Sequence, residues 1–284
     1  MRAADPGSST GGGVELLRLA AALVYVSDLA APQPDAEDLH HLATVLRLRA
    51  GELVIAADGA GNWRGCRVAV PRLAGGDNPR SGGGAPGARG APGGRGRRAG
   101  RQPPAVVLEP ETAVVYTARM VPEITVGASL AKGERTEWAV AKLSELGVDR
   151  IVPLVCERTV AGAPRAGRLQ RIAREAAMQA RRVWLPVVAD TLIFEEAVRT
   201  LAVPAAGGGG GIALAEPGGS PPSLASPVVL VGPEGGWSPA ELALGLPQVD
   251  LGPTILRIET AAVVAGTLLT ALRSSTVHAA DPGP

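Results

Sequence analysis

From about residue 119 to the C-terminus the sequence alternates short apolar runs with longer amphipathic ones, and this alternation constrains the fold most. Ile124–Leu130, Ile151–Val155, Ile212–Ala215, Val228–Val231 and Val249–Leu251 read as strands. Glu134–Leu146, Arg168–Arg182, Phe194–Leu201, Pro239–Leu244 and Thr260–Arg273 read as helices, with apolar residues recurring at helical spacing. Two strands joined by a helical crossover pair most naturally as parallel neighbours. The expectation is therefore an α/β domain with a parallel sheet covered by helices. Punctuation agrees: Gly147 falls just past the first helix, where a left-handed cap is wanted, and Ser238 stands where a hydroxyl caps the short one.

The upstream part has a different rhythm. Residues 1–22 read as a loose Gly/Ser-containing leader. Residues 23–118 read as a small β-domain, with strands at Val24–Asp28, Glu52–Ala57, Trp63–Val70, Ala105–Glu109 and Ala113–Thr117 and a helical turn at Asp38–Arg47. Asp58-Gly-Ala-Gly-Asn62 is a strong hairpin signal. Residues 73–104, nearly all Gly, Pro, Ala and Arg, cannot bury a core and are expected to be a disordered insertion. The resulting division is 1–22, 23–118 and 119–284.

With 28 basic and 27 acidic residues the net charge is +1, which argues against a globally basic nucleic-acid binder but not against a local basic face. Cys66 and Cys156 lack Cys or His neighbours at metal-ligand spacing, so no metal site is expected. No apolar run approaches the ~20 residues needed to span a bilayer. Asp5, Glu15 and Arg18 interrupt any signal-like pattern at the N-terminus. The expected location is cytoplasmic, with no membrane partner.

Chemistry concentrates near the C-terminus. Val228-Val-Leu-Val-Gly-Pro-Glu-Gly-Gly-Trp237 and Leu251-Gly-Pro-Thr-Ile-Leu-Arg-Ile-Glu-Thr-Ala261 each run from an apolar strand into Gly and Pro, and each carries a carboxylate. Two such breaks point to a ligand crevice at the carboxyl ends of parallel strands. Glycine lets a backbone approach a ligand closely because no Cβ intervenes. Neither the Gly-Lys-Ser/Thr end of a phosphate loop nor the Rossmann glycine pattern is present. Helix 168–182 shows Arg171, Arg174, Glu175, Met178 and Arg182 on one face, which fits either a solvated face or one that tracks phosphates. Trp138 stands among charges and wants a partner, while the adjacent His40 and His41 point apart and make a poor metal pair.

These motifs, in this order, make the chain resemble the RsmE family, the 16S ribosomal RNA (uracil-N3) methyltransferases of the SPOUT class. The resemblance runs through His40-His-Leu-Ala-Thr-Val-Leu-Arg-Leu-Arg-Ala-Gly-Glu52, Asp58-Gly59, Lys132-Gly-Glu-Arg-Thr-Glu-Trp-Ala-Val-Ala-Lys-Leu-Ser-Glu-Leu-Gly147, Pro153, Glu157-Arg-Thr159 and Arg171-Ile-Ala-Arg-Glu-Ala-Ala177 to the closing loop pair. It departs from the family pattern at Met178, at Ala180-Arg-Arg-Val-Trp-Leu185 and at Ile258. The resemblance implies an N-terminal PUA-like β-barrel, a trefoil-knotted methyltransferase domain, a homodimer, and S-adenosylmethionine as cofactor. It places the cofactor against Leu214, Gly232, Pro233, Glu234, Gly235, Gly236, Leu251, Gly252, Ile255, Leu256 and Arg257. It implies 16S rRNA in the small ribosomal subunit as partner, met by Arg47, Lys132, Arg135, Arg158, Arg171, Arg174 and Arg182. Arg257 and Arg135 are the candidates for stabilising charge on the uracil oxygens, and Glu259 either accepts the proton or holds Arg257. A ribose methyltransferase on the same fold and a non-catalytic RNA-binding assembly protein remain as alternatives.

Overall fold

The computed structural model describes residues 9–69, 106–162, 167–201 and 211–278; the insertion expected at 73–104 lies outside them. Two sheets organise the chain. The first contains β1 (Ala22–Tyr25), β2 (Leu53–Ala57), β3 (Asn62–Ala69) and β4 (Val107–Pro110) in that order, with β5 (Val115–Tyr116) also on β3. β1 runs parallel to β2 and the remaining pairs are antiparallel. The β2–β3 turn forms as its sequence predicts, because Asp58 Oδ1 accepts the amides of Ala60 and Asn62 and fixes the hairpin.

Side chains alternate across this sheet, so both faces are buried. Val24, Val54, Ala56, Cys66 and Val68 pack on one side with Leu42. Leu23, Ile55, Ala57 and Trp63 pack on the other with Ala177, Met178 and Val183. Two differences from the sequence reading appear here. Part of the expected leader is a helix, α1 (Ser9–Leu19), held because Leu16 and Leu17 pack against the second of these clusters. The turn after α2 (Ala36–His40) continues as a π-helical segment, His41–Val45.

The second sheet is wholly parallel, as the alternation predicts, in the order β12-β10-β11-β6-β7-β8 with β9 beside β7. Its strands are β6 (Thr125–Ser129), β7 (Arg150–Val155), β8 (Val187–Val188), β9 (Leu192–Ile193), β10 (Ile212–Ser220), β11 (Val228–Val231) and β12 (Gln248–Val249). The two-residue strands β8 and β9 are too short to leave a periodic signal in the sequence. α3 (Arg135–Leu146), α4 (Arg168–Gln179) and α7 (Ile258–Arg273) belong to one face, and α5 (Phe194–Leu201) covers the other. Gly147 ends α3 with φ 95°, the left-handed cap foreseen for it.

α7 lies tightly on its neighbours through a stripe of small residues. A Cβ at Gly266 would come 2.7 Å from Leu143 and 3.0 Å from Val148, so only glycine lets the helix approach so closely. Each fully buried leucine here, such as Leu143 or Leu269, contributes roughly 2 kcal/mol. α4 ends at Gln179, short of the expected Arg182, because the chain turns at Arg181, whose φ is 54°. Arg181 is held there by donating to the Ala20 and Ala21 carbonyls.

One buried charge cluster ties the back of this domain together. Asp149 accepts the Ile124 amide at 2.9 Å, pairs with Arg273 and lies 3.9 Å from Arg182. Arg273 also donates to the Gly147 and Pro122 carbonyls. Arg182 donates to the Ser144 and Val148 carbonyls at 2.8 and 2.9 Å. Burial pulls the Arg182 guanidinium below its usual pKa. The resemblance implies that Arg182 meets RNA; its guanidinium is instead committed inside the fold.

Candidate functional site

At the carboxyl ends of β10, β11 and β12 the chain leaves a cleft of about 340 Å³. Its first wall is the turn after β11. Gly236 has φ 71° and donates to the Pro233 carbonyl at 2.8 Å, which closes a tight turn. A Cβ on Gly232 would meet the Trp237 ring at 2.9 Å, so the strand can break there only with glycine. Trp237 is fixed in turn: its indole N–H donates to the Ala215 carbonyl at 3.1 Å, and its ring packs 5.2 Å from Phe194.

The next residues lock that turn in place. Ser238 and Glu241 form a capping box at the start of α6 (Pro239–Leu242). The buried Glu241 also accepts the Glu157 amide at 2.9 Å, which ties α6 to the loop after β7. From that loop Arg158 donates to the carbonyls of Gly235 and Trp237 at 2.7 and 3.2 Å. Arg158, expected to face RNA, is therefore bound to the back of the turn after β11.

The second wall follows β12. Asp250 accepts the amides of Gly252 and Gly218, which bends the chain away from the sheet and ends the strand earlier than Leu251. Leu251, Gly252, Thr254, Ile255 and Leu256 then pass the cleft before α7 begins at Ile258. Ile255 is 86% exposed.

Nine of the residues expected to hold a ligand line this cleft: Gly232, Pro233, Glu234, Gly235, Gly236, Leu251, Gly252, Ile255 and Leu256. Leu214 does not. Its side chain is buried on the opposite face of β10, and strand alternation gives its place to Ala215. Arg257 is exposed and lies outside the lining. Glu216 and Asp250 line the cleft and were missed, since no motif marks them; Glu216 follows the last β10 residue paired with β11 and Asp250 follows β12, the one signal that could have found them.

Glu259 was expected either to accept the proton or to hold Arg257, and the second role is not what the structure shows. The structure pairs it with Arg135 instead, at 3.7 Å, while Arg135 lies 3.8 Å from Glu234 on the other side. One arginine on the first turn of α3 thus stands between the two loops. The Oε2 atom of Glu259 is buried without a hydrogen-bond partner. Lys132 and Arg47 are exposed, and Arg171 lies 3.7 Å from both Glu175 and Glu37. Arg174, expected on the open face of α4, turns inward to Asp38. Among the described residues no group of acidic, His or Cys side chains is arranged to hold a metal ion, and no helix is long and apolar enough to cross a membrane.

Residues 118–270 match a model described as an RNA methyltransferase domain, and residues 34–72 match an RNA methyltransferase PUA domain. A ribosomal RNA small subunit methyltransferase E of Mycobacterium tuberculosis is 31% identical over 267 residues, 87% of this chain and 90% of the relative. The chain belongs to the ribosomal RNA small subunit methyltransferase E family. A family member from Synechocystis is 36% identical over 169 residues, 54% of each chain. The fold agrees as well: a ribosomal RNA small subunit methyltransferase E from Neisseria gonorrhoeae, solved bound to S-adenosyl methionine, superposes with a TM-score of 0.62 at 24% identity, over 89% of this chain and 97% of that one.

Proposed function

We propose that this chain transfers a methyl group from S-adenosylmethionine to N3 of a uridine in 16S rRNA of the small ribosomal subunit. The observation that carries this reading is the cleft between the two Gly/Pro loops, in a chain of this family. Its volume falls in the range of small-molecule sites. Val231, Leu251, Leu256 and Ala261 give it apolar walls that suit an adenine, and Gly232 and Gly235 leave the backbone open to close approach. The charged groups lining it are the carboxylates Glu216, Glu234 and Asp250, which suits a ligand bearing a sulfonium, an ammonium and ribose hydroxyls. When bound, the cofactor supplies a methyl group on a positively charged sulfur.

The chain's own residues then have separable tasks. The uracil imide must lose its N3 proton for nitrogen to attack a methyl group. Glu259 Oε2, buried and without a donor, is the acceptor in this reading. Arg135 and Arg257 stabilise the charge that grows on the uracil O2 and O4. N3 lies on the pairing edge, so the target is unpaired or turned out of its stack.

The same reading makes residues 23–118 a PUA-like barrel that docks RNA and residues 119–284 a trefoil-knotted domain. After the edge strand β12 the chain returns as α7, which packs across β6 and α3, a path compatible with such a knot. It also makes the chain a cytoplasmic homodimer, with the exposed Ile255 beside the cleft as an apolar contact. The test is product analysis after incubation with S-adenosylmethionine and unmethylated small subunits. New 3-methyluridine is the expected product. Another methylated nucleoside would move the specificity, and failure to bind the cofactor would overturn the enzymatic reading.

A further inference from the structure

α2 is fastened to α4 by charge. Asp38 is 5% exposed and receives both ends of the Arg174 guanidinium, at 3.0 and 2.7 Å. Arg174 also donates to the Tyr25 carbonyl at 3.2 Å and lies 5.5 Å from the centre of the Tyr25 ring. Two looser contacts flank this fork, Arg174 to Asp35 at 3.6 Å and Arg171 to Glu37 at 3.7 Å. Planar two-point pairing of this kind fixes orientation as well as distance.

The segment after α2 inherits that orientation. The π-helical stretch His41–Val45 drops Leu42 into the core, 2% exposed. Its exit is closed by two backbone hydrogen bonds, the Leu46 N–H donating to the His41 carbonyl and the Leu48 N–H to the Leu42 carbonyl. Arg47 is left between them, exposed, with φ 52°. On the other side of the fork, α4 shares its core with α3, whose first turn carries Arg135 to the edge of the cleft. A continuous run of packed elements therefore links Arg47 to Arg135.

We infer that the Asp38–Arg174 fork is a positioning device that sets where Arg47 stands relative to the cleft, so that one RNA engages both in register. This rests on the RNA substrate proposed above. Neither residue is a catalytic group; they act through the segment they hold. Asp38→Asn removes the ionic fork, and Arg174→Lys keeps the charge while losing the two-point geometry. Glu37→Gln, at the loose outer pair, is the control.

The expected result has two parts. Hydrogen exchange of amides 39–48 quickens in Asp38→Asn and less so in Arg174→Lys. KM for unmethylated small subunits rises about tenfold, since misplacement of a holding group costs productive geometry. kcat and the S-adenosylmethionine Kd stay within about twofold, because the cleft shares no partner with the fork. Unchanged exchange would show that the fork does not hold the segment, and quicker exchange with unchanged KM would show that its position does not matter; either overturns the inference. Should Asp38→Asn fail to fold, Arg174→Lys reads the same two quantities. Should wild type methylate nothing, the proposed function falls by itself, and affinity for small subunits replaces KM: equal binding by wild type and variant overturns the positioning role.

Discussion

Among the described residues, two clefts of nearly equal size invite comparison, one of about 340 Å³ between the loops after β11 and β12 and one of about 330 Å³ between β1, α2 and α4. They are built from opposite materials. The first is made by backbone: glycines that admit a ring or turn sharply, carbonyls held by Trp237 and Arg158, and apolar walls. The second is made by long charged side chains, with Arg171, Arg174 and Arg181 reaching acidic side chains or carbonyls of the other lobe. A backbone-built site recognises a ligand by shape and loses function when a single Cβ is added. An arginine-built junction holds two bodies at a fixed angle and loses stability when a countercharge is removed.

The largest effect should come from arginines that build not the second cleft but the buried cluster inside the parallel-sheet domain. Asp149→Asn leaves Arg273 and Arg182 buried beside a neutral amide, and breaking one partner of such a cluster costs about 3–5 kcal/mol. Urea denaturation should show that loss with S-adenosylmethionine binding intact in the residual folded protein. A cost below about 1 kcal/mol, the range of an exposed ion pair, would mean that the cluster is not a structural hub.

On the backbone-built side, Gly232→Val should leave the fold standing and damage the cleft. The added carbons must displace Trp237, which Phe194 and the Ala215 carbonyl hold in place. Overpacking of this sort costs about 1–3 kcal/mol, so calorimetry should find the cofactor Kd raised about 10- to 100-fold. Unchanged affinity would show that Trp237 yields and that the glycine is not required for shape. Arg158→Ala tests the same wall more gently. It deletes two hydrogen bonds to the carbonyls of Gly235 and Trp237, and a loss of about 1 kcal/mol corresponds to roughly fivefold weaker cofactor binding.

The contrast also explains what could be read from the sequence. Backbone needs announce themselves in residue types: Gly147 as a left-handed cap, Asp58 to Asn62 as a hairpin, and Gly232-Pro-Glu-Gly-Gly236 as a turn were all legible because few residues can take those places. The parallel sheet was legible for the same reason, since strand and helix periods differ. Arginines announce nothing about where they point. The pattern of Arg168–Arg182 put Arg174 and Arg182 on one outward face, yet their partners lie on other elements, Asp38 136 positions from Arg174 and Asp149 at the start of β7. Glu259 likewise found Arg135 and not its near neighbour Arg257. β8 and β9 were invisible because two residues carry no period, and α1 because its glycines conceal the leucines that anchor it.

Protonation offers a smaller probe. Burial pushes the Cys156 thiol up from its ordinary 9.0 to about 12, and burial also raises the Tyr25 phenol, whose hydroxyl donates to the Arg182 carbonyl at 2.6 Å. A raised folded-state pKa gives stability that is complete below the unfolded value and drains away as pH rises towards the folded one. The wild-type denaturation midpoint should therefore hold up to about pH 9 and then fall. Cys156→Ala should flatten part of that fall, and Tyr25→Phe the part that begins nearer 10. Identical alkaline curves for all three proteins would show that neither group keeps its proton in the fold.

The smallest expected effect sets the baseline for the others. Lys142 and Glu145 pair at 2.7 Å on the outer face of α3, with side chains 39% and 36% exposed. The distance is as short as that between Arg174 and Asp38, so contact length alone would rank the two pairs equal. Solvent decides otherwise. Water screens the exposed pair and both long side chains lose freedom on meeting, which leaves about 0.2–0.5 kcal/mol. Lys142→Ala should lower the unfolding free energy read from urea denaturation by no more than that, and added salt should shrink the loss further. A cost near that of Asp149→Asn would break the comparison, because a surface pair would then hold the fold as firmly as a buried one.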